Sequence, residues 1–256
     1  RWLALPDGTT LGPKPDAAET WELPEGAVLI KHFEVGGRRL ETRFLVRRAE
    51  RWQGYLYRWN ASQTDAVLTD GRETGEYVAE GVRRTWEFPS RADCDACHTP
   101  EAGGALGLRT VQLNRWVSYG GQEFPQLEAL ARAGYAELSA PSSALPAWKP
   151  EARTVLDVNC AMCHLPGGRG NARIDLLAAT PLPQTGVCDV APGQGDFGLG
   201  EAARIVAPGA PERSVLLARM RQRGEGQMPP LASNVADERS ADRVRRWIEG
   251  LEGCAD

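Results

Sequence analysis

Two short stretches of this chain have the residue types and the spacing to do chemistry. One is Asp93-Cys94-Asp95-Ala96-Cys97-His98 and the other is Asn159-Cys160-Ala161-Met162-Cys163-His164. Cys-x-x-Cys-His is the pattern for covalent c-type haem attachment. Two thiols three positions apart reach the two vinyl groups of one porphyrin, and the adjacent His places an imidazole nitrogen on the iron from the same side. Two copies in a chain with only three His and six Cys are hard to call chance. The expected cofactors are therefore two covalently bound haem c, held by Cys94, Cys97 and His98 and by Cys160, Cys163 and His164. Zinc or thiol chemistry is the alternative, and zinc is short of ligands: too few further His or Cys remain to complete two tetrahedral sites.

Each iron then needs a group on its far side. For the second, Gln227-Met228-Pro229-Pro230 offers a thioether in a loop that two prolines stiffen and keep out of a helix. Met228 is the expected ligand. Met220 lies among Val215, Leu216 and Ala218, where packing is the simpler role, and Met162 lies inside the haem motif on the wrong side. For the first iron, no Met or His occurs from Thr99 to Ala161, and the remaining His in the chain is His32. His32 is expected as that ligand, giving a bis-His centre. The alternatives are an open site, Lys31, a Tyr, or a Met from the second module. In a strand, His32 shares a face with Val28 and Ile30, opposite Leu29, Phe33 and Val35.

The elements that must position these groups divide the chain in two. Ala27 to Val35 and Arg38 to Val46 flank Gly36-Gly37, which predicts a β-hairpin with a primed turn. Trp52 to Trp59 and Glu76 to Phe88 read as further strands. Pro125 to Ala133 reads as a helix with Gly134 as its C-terminal cap. Ala140 to Pro150, with three prolines, is the linker candidate. Beyond it, Pro150 suits a helix start leading into the second Cys pair. Val244, Trp247, Ile248 and Leu251 make the face of a closing helix capped by Ser240 or Asp237. Between them, Pro166 to Gly200 is rich in Gly and Pro and reads as loop around the haem edge. The expected fold class is α+β: an N-terminal β-rich haem domain over residues 1–140, followed by a mainly α-helical class I cytochrome c domain over 141–256.

Composition sets the limits of function. With 256 residues, 42% hydrophobic and 25% charged, the chain suits one large or two ordinary globular domains. A formal charge of −4 and no basic cluster argue against nucleic acid. No apolar run reaches the length of a membrane span and no signal peptide is present. The chain opens on Arg1-Trp2-Leu3-Ala4 and reads as a processed or excised piece of something longer. Covalent haem attachment in bacteria takes place outside the cytoplasm, so a periplasmic location is expected. There the two Cys not used by haem, Cys188 and Cys254, suggest a disulfide, with two unpaired buried thiols as the alternative.

Several further motifs carry a resemblance. Phe88-Pro89-Ser90-Arg91-Ala92-Asp93-Cys94, Cys97-His98-Thr99, Leu106-Gly107-Leu108 and Gln112-Leu113-Asn114 follow in order. After them come Asn159-Cys160-Ala161, Cys163-His164, Pro166-Gly167-Gly168, Pro208-Gly209 and Met228-Pro229-Pro230-Leu231. Together these resemble a bacterial family of di-haem c-type cytochromes, free or fused to quinone-dependent sugar dehydrogenases. The resemblance implies single-electron transfer from a periplasmic dehydrogenase to a cytochrome or oxidase acceptor. The β-rich segment ending in Cys-x-x-Cys-His is separately similar to the β-sheet cytochromes c prime, which keep an open distal site. That similarity supports the alternative function: a haem enzyme or gas-binding protein with a five-coordinate first haem, acting on peroxide or nitric oxide. No catalytic acid, base or nucleophile set stands out, and the Gly-rich loops leave calcium open.

Overall fold

Val28–Val35 (β4) and Arg38–Arg47 (β5) form the antiparallel hairpin that the Gly36-Gly37 pair predicts. Both glycines have positive φ, 56° and 76°, the backbone that a primed turn requires at its two central residues. The computed structural model describes residues 1–14, 17–49, 51–147, 149, 151–231 and 233–255. The hairpin is the centre of a five-stranded sheet in the order β1-β4-β5-β6-β7, with Trp2–Ala4 (β1), Trp52–Trp59 (β6) and Ala66–Thr69 (β7).

The pleat sorts the side chains. Lys31 pairs across with Arg43 and Phe33 with Glu41 on one face, while His32 pairs with Thr42 on the other. A bulge falls after Phe33, so this alternation is intact up to that residue. Three two-stranded ribbons accompany the sheet. They are Gly12–Lys14 (β2) with Ala17–Glu22 (β3), Glu73–Ala79 (β8) with Val82–Phe88 (β9), and Trp116–Tyr119 (β10) with Gln122–Pro125 (β11). The predicted single strand over Glu76 to Phe88 is thus a hairpin. Glu80 and Gly81, both at positive φ, turn the chain back on itself.

The chain separates into two compact units, Arg1–Lys149 and Pro150–Asp256. In the first, three helices follow the sheet: Arg91–Cys97 (α1), Thr110–Leu113 (α2) and Gln126–Arg132 (α3). Gly134 follows α3 at φ 75°, as a C-terminal cap should. Leu11, Trp21, Leu113, Leu127 and Ala136 form a buried cluster, inside which Trp21 Nε1 donates to Thr110 Oγ1 at 3.0 Å. The expected boundary at residue 140 falls short of this break. Asn114 is the reason: its side-chain amide donates to the carbonyls of Ser142, Leu145 and Pro146, and Leu145 packs on the cluster. Pro150, expected at the start of the next helix, lies outside the described residues.

The expected fold class is corrected in the second unit. Its α-helices are Ala152–Cys160 (α4), Val215–Arg221 (α5) and Glu238–Glu249 (α6), with long loops between them. Over the described residues of the whole chain, eleven strands outnumber six helices. The protein is sheet-rich, and its second half is not a mainly α-helical class I cytochrome c domain. The physical cause lies in Pro166 to Gly200, where prolines remove backbone donors and glycines favour non-helical backbone. Those loops find backbone partners in each other: Asp175 N donates to Thr185 O at 2.8 Å and Val206 N to Val187 O at 3.0 Å. Leu156, Val187, Val206, Leu217, Val244 and Ile248 are buried together as the core. Asp237 caps α6 by accepting from Ser240 N at 3.0 Å. The Cys188–Cys254 disulfide is present and joins residues 66 positions apart.

Candidate functional site

The first Cys-x-x-Cys-His turn ends α1. Ser90 caps this helix, its hydroxyl accepting from Asp93 N while Asp93 accepts from Ser90 N. Arg72 reaches the Asp93 carboxylate with two nitrogens, and this guanidinium holds the acid well below the ordinary carboxylate range. The helix therefore starts at a fixed place, and Cys94, Cys97 and His98 follow on its last turn. His98 N donates to Cys94 O at 2.9 Å. The helix lies against β6 because Gly54 has no side chain. A Cβ there would come within 3.1 Å of both Cβ and Sγ of Cys94.

The orientation of His98 is fixed by a carbonyl. Its Nδ1 lies 2.5 Å from Gly104 O, and since a carbonyl only accepts, Nδ1 carries the hydrogen and Nε2 the lone pair. Burial pushes the imidazole below the ordinary histidine range, and the Gly104 carbonyl acts against that shift. Arg43 and Lys31 are among the charges acting on His98. Arg43 and Glu41 likewise act on Cys94, whose thiol burial pushes up. The face of the sheet carrying Lys31, Glu41 and Arg43 is thus the one turned to this site.

His32 is on the other face. Its Nδ1 is 2.5 Å from Thr42 Oγ1, a hydroxyl that also accepts from Trp59 Nε1 at 2.8 Å. The Trp2 ring packs edge-on to it at 4.5 Å. The structure does not bring His32 and His98 together: the opposite face of β4, which carries Lys31, is the one turned to α1. Which face of β4 looks toward α1 is decided by Gly54 and by the path of residues 60–90, which strand periodicity does not carry.

The second turn ends α4. His164 N donates to Cys160 O at 3.0 Å, and Gly170 N donates to Cys163 O at 2.8 Å, folding the following loop back on the turn. The His164 ring sits hard against this loop, and its Nδ1 is buried with no hydrogen-bond partner. Burial pushes the Cys160 thiol up to about 12. Met228 N donates to Arg219 O at 3.0 Å, and the Arg219 charge in turn lowers the His164 imidazole, after burial itself. The Arg219 guanidinium also donates to Gly226 O at 3.0 Å and stacks 4.4 Å from the Phe197 ring centroid, tying the Met228 loop to α5.

A Cβ at Gly170 would come 2.5 Å from His164 Nδ1 and 2.9 Å from Cys163 O. Gly170→Ala is therefore expected to displace the His164 ring and to cost about 1–3 kcal/mol of unfolding free energy. Chemical denaturation of the variant checks it, and a change below about 0.5 kcal/mol, the range of neutral surface substitutions, would show that the loop yields freely.

None of Cys94, Cys97, Cys160 and Cys163 is in a disulfide. Burial raises the Cys94 and Cys160 thiols above the ordinary thiol value, which disfavours the thiolate form at those two sulfurs. The cofactor expectation of two covalently bound haem c, with calcium left open, is corrected. Among the described residues, no group of three or more His, Cys, Asp or Glu side chains gathers where it could hold a metal ion. His32 and His98 do not converge. What these residues build is two dithiol–imidazole turns, one in each unit. No helix among the described residues is long and apolar enough to cross a membrane. No family model, curated protein or solved structure matches this chain.

Proposed function

We propose that this chain transfers single electrons in the bacterial periplasm, from a dehydrogenase to a downstream cytochrome or oxidase. The observation that supports the reading best is the repetition of one construction on two different scaffolds. A helix from a β-sheet unit and a helix from a loop-rich unit each lead into two thiols outside any disulfide followed by a half-buried imidazole. In the first, the Gly104 carbonyl leaves the lone pair on Nε2. Burial raises the Cys94 and Cys160 thiols, which disfavours thiolate chemistry at those two sulfurs. The Cys188–Cys254 bridge fits an oxidising compartment.

The test is oxidised and dithionite-reduced optical spectra of the protein produced with export to the periplasm. The expected result is a reversible one-electron change at each turn. Cys94→Ala/Cys97→Ala and Cys160→Ala/Cys163→Ala should each abolish one of the two changes. Spectra that do not change on reduction would overturn the proposal. A second reading, a catalyst or gas-binding protein acting on peroxide or nitric oxide at an open first centre, is favoured by the turning of His32 away from His98. Carbon monoxide added to the reduced protein separates the two. A spectral change confined to the first turn supports the second reading, and indifference to the gas supports the relay.

A further inference from the structure

The two faces of the five-stranded sheet are filled in the reverse of the usual order. Antiparallel sheets ordinarily pack an apolar face on the core and turn a polar one to water. Here Lys31, Glu41, Arg43 and Arg58 stand on the inner face, where Gly54 meets Cys94 and Phe33 meets Trp86. On the outer face, strand pairing sets Trp2, Ile30, Phe44 and Tyr55 in one row across β1, β4, β5 and β6. His32, Thr42, Tyr57 and Leu68 make the next row, across β4 to β7. Neither row holds a Lys, Arg, Asp or Glu. Of these eight residues Thr42 alone is buried, beneath the His32 and Trp59 rings that meet its hydroxyl. Trp2 is 55% and Leu68 42% exposed, and none of the eight belongs to either buried apolar cluster.

A contiguous apolar, aromatic face turned to solvent marks a contact surface. Its margins say what it fits. Two cations lie over outer-face rings, Arg39 over Trp59 at 4.2 Å and Arg91 over Tyr55 at 5.2 Å. Each is paired with a carboxylate at 3.9 Å, Arg39 with Glu34 and Arg91 with Asp70. These margins offer no net charge to an acidic or basic partner or to an anionic membrane. A face neutral at its centre and its margins can instead meet itself about a two-fold axis without like-charge contact. The area suffices for that. Strands about 4.8 Å apart and about 25 Å long make a face of about 500 Å², so two copies bury about 1,000 Å², the lower bound for a specific interface. We propose that the outer face of this sheet joins two copies of the chain, sheet on sheet, in the aligned packing of β-sandwiches. Its composition is that of an interface centre, where Trp, Tyr and Phe are enriched and charged side chains depleted. The proposal is independent of the electron-transfer reading, since the face uses none of the Cys-x-x-Cys-His residues.

Sedimentation velocity of the full chain, from micromolar to submillimolar protein, reads the association. A reversible equilibrium between one chain and two is expected. Leu68→Glu and Trp2→Glu should each weaken the dimer roughly tenfold or more, because both copies then bring an unpaired carboxylate into the contact. Both positions are exposed, and far-ultraviolet circular dichroism verifies that each variant keeps its fold. Val67→Glu is the control. Val67 is 66% exposed on the same strand as Leu68 but belongs to the opposite face, so this variant should associate as the parent does. A single-chain mass at every concentration, a dimer that neither Leu68→Glu nor Trp2→Glu weakens, or equal weakening by Val67→Glu would each overturn the proposal. Pelleting of the single chain with phosphatidylcholine–phosphatidylglycerol vesicles would likewise overturn it and assign the face to a lipid surface.

Discussion

Replacing Cys188 and Cys254 together by Ala is expected to lower the stability of the second unit by about 4 kcal/mol. The bridge closes a loop of 66 positions, and in the chain-entropy model the cost of leaving that loop open in the unfolded chain is of this size. The second unit has unusual need of it. Among its described residues the regular structure amounts to three α-helices and two single 3-10 turns, and the stretch between α4 and α5 is held by scattered backbone hydrogen bonds and a small apolar core. Cys188 sits within that stretch, bridged to Val206, while Cys254 follows α6. The disulfide therefore fastens the loops to the helix that packs beneath them. Denaturant unfolding of the double variant, compared with the oxidised protein, reads the difference. A loss below about 1 kcal/mol, far outside the entropic expectation, would mean that the loops are held by packing alone.

The second large effect concerns Arg43. Arg43→Leu leaves the wholly buried Glu41 carboxylate without its partner, and breaking a buried pair from one side costs about 3–5 kcal/mol. The sign of the pH dependence follows from what acts on Glu41. Burial raises its pKa and Arg43 pulls it down; without Arg43 the folded value rises further. An acid whose folded pKa lies above its unfolded one is protonated more readily in the fold. Its contribution is fully present below the unfolded value near 4.5 and is lost as pH rises through the folded value. Arg43→Leu should therefore be near wild-type stability in acid and far below it at neutral pH. Glu41→Gln/Arg43→Leu, which has no charge to bury, should remove most of that pH dependence. Unfolding curves at several pH values check this. An Arg43→Leu deficit as large in acid as at neutrality would point to lost packing instead of an unpaired charge.

Much of the local structure was legible because short-range chemistry decides it. Gly36-Gly37 specified the hairpin, Gly134 the end of α3, Asp237 and the Val244/Ile248 spacing the helix α6, and the even cysteine remainder the Cys188–Cys254 bridge. The helix α1 carried a signal that went unused: Ser90 and Asp93 are spaced as a capping box, immediately before the first Cys pair. Glu80-Gly81 likewise marked a turn inside what reads as a single strand. Other outcomes depend on contacts distant in sequence. Alternation places His32 opposite Phe33, yet which of the two faces meets α1 is settled by Gly54 on a different strand. The helical expectation for the second unit extrapolated from its two ends, while the Gly- and Pro-rich middle kept most of its length out of helices.

The hold of Asn114 on residues 142–146 bears on how the two halves can be inherited or recombined. A shuffling event that cut at the proline-rich stretch near 140 would leave the Asn114 amide without its three acceptors and strip Leu145 from the apolar cluster. The natural seam comes later, at Lys149 and Pro150. A gene fragment that travels as a self-sufficient module must carry the strap along with the sheet, although by composition alone the strap looks like spacer.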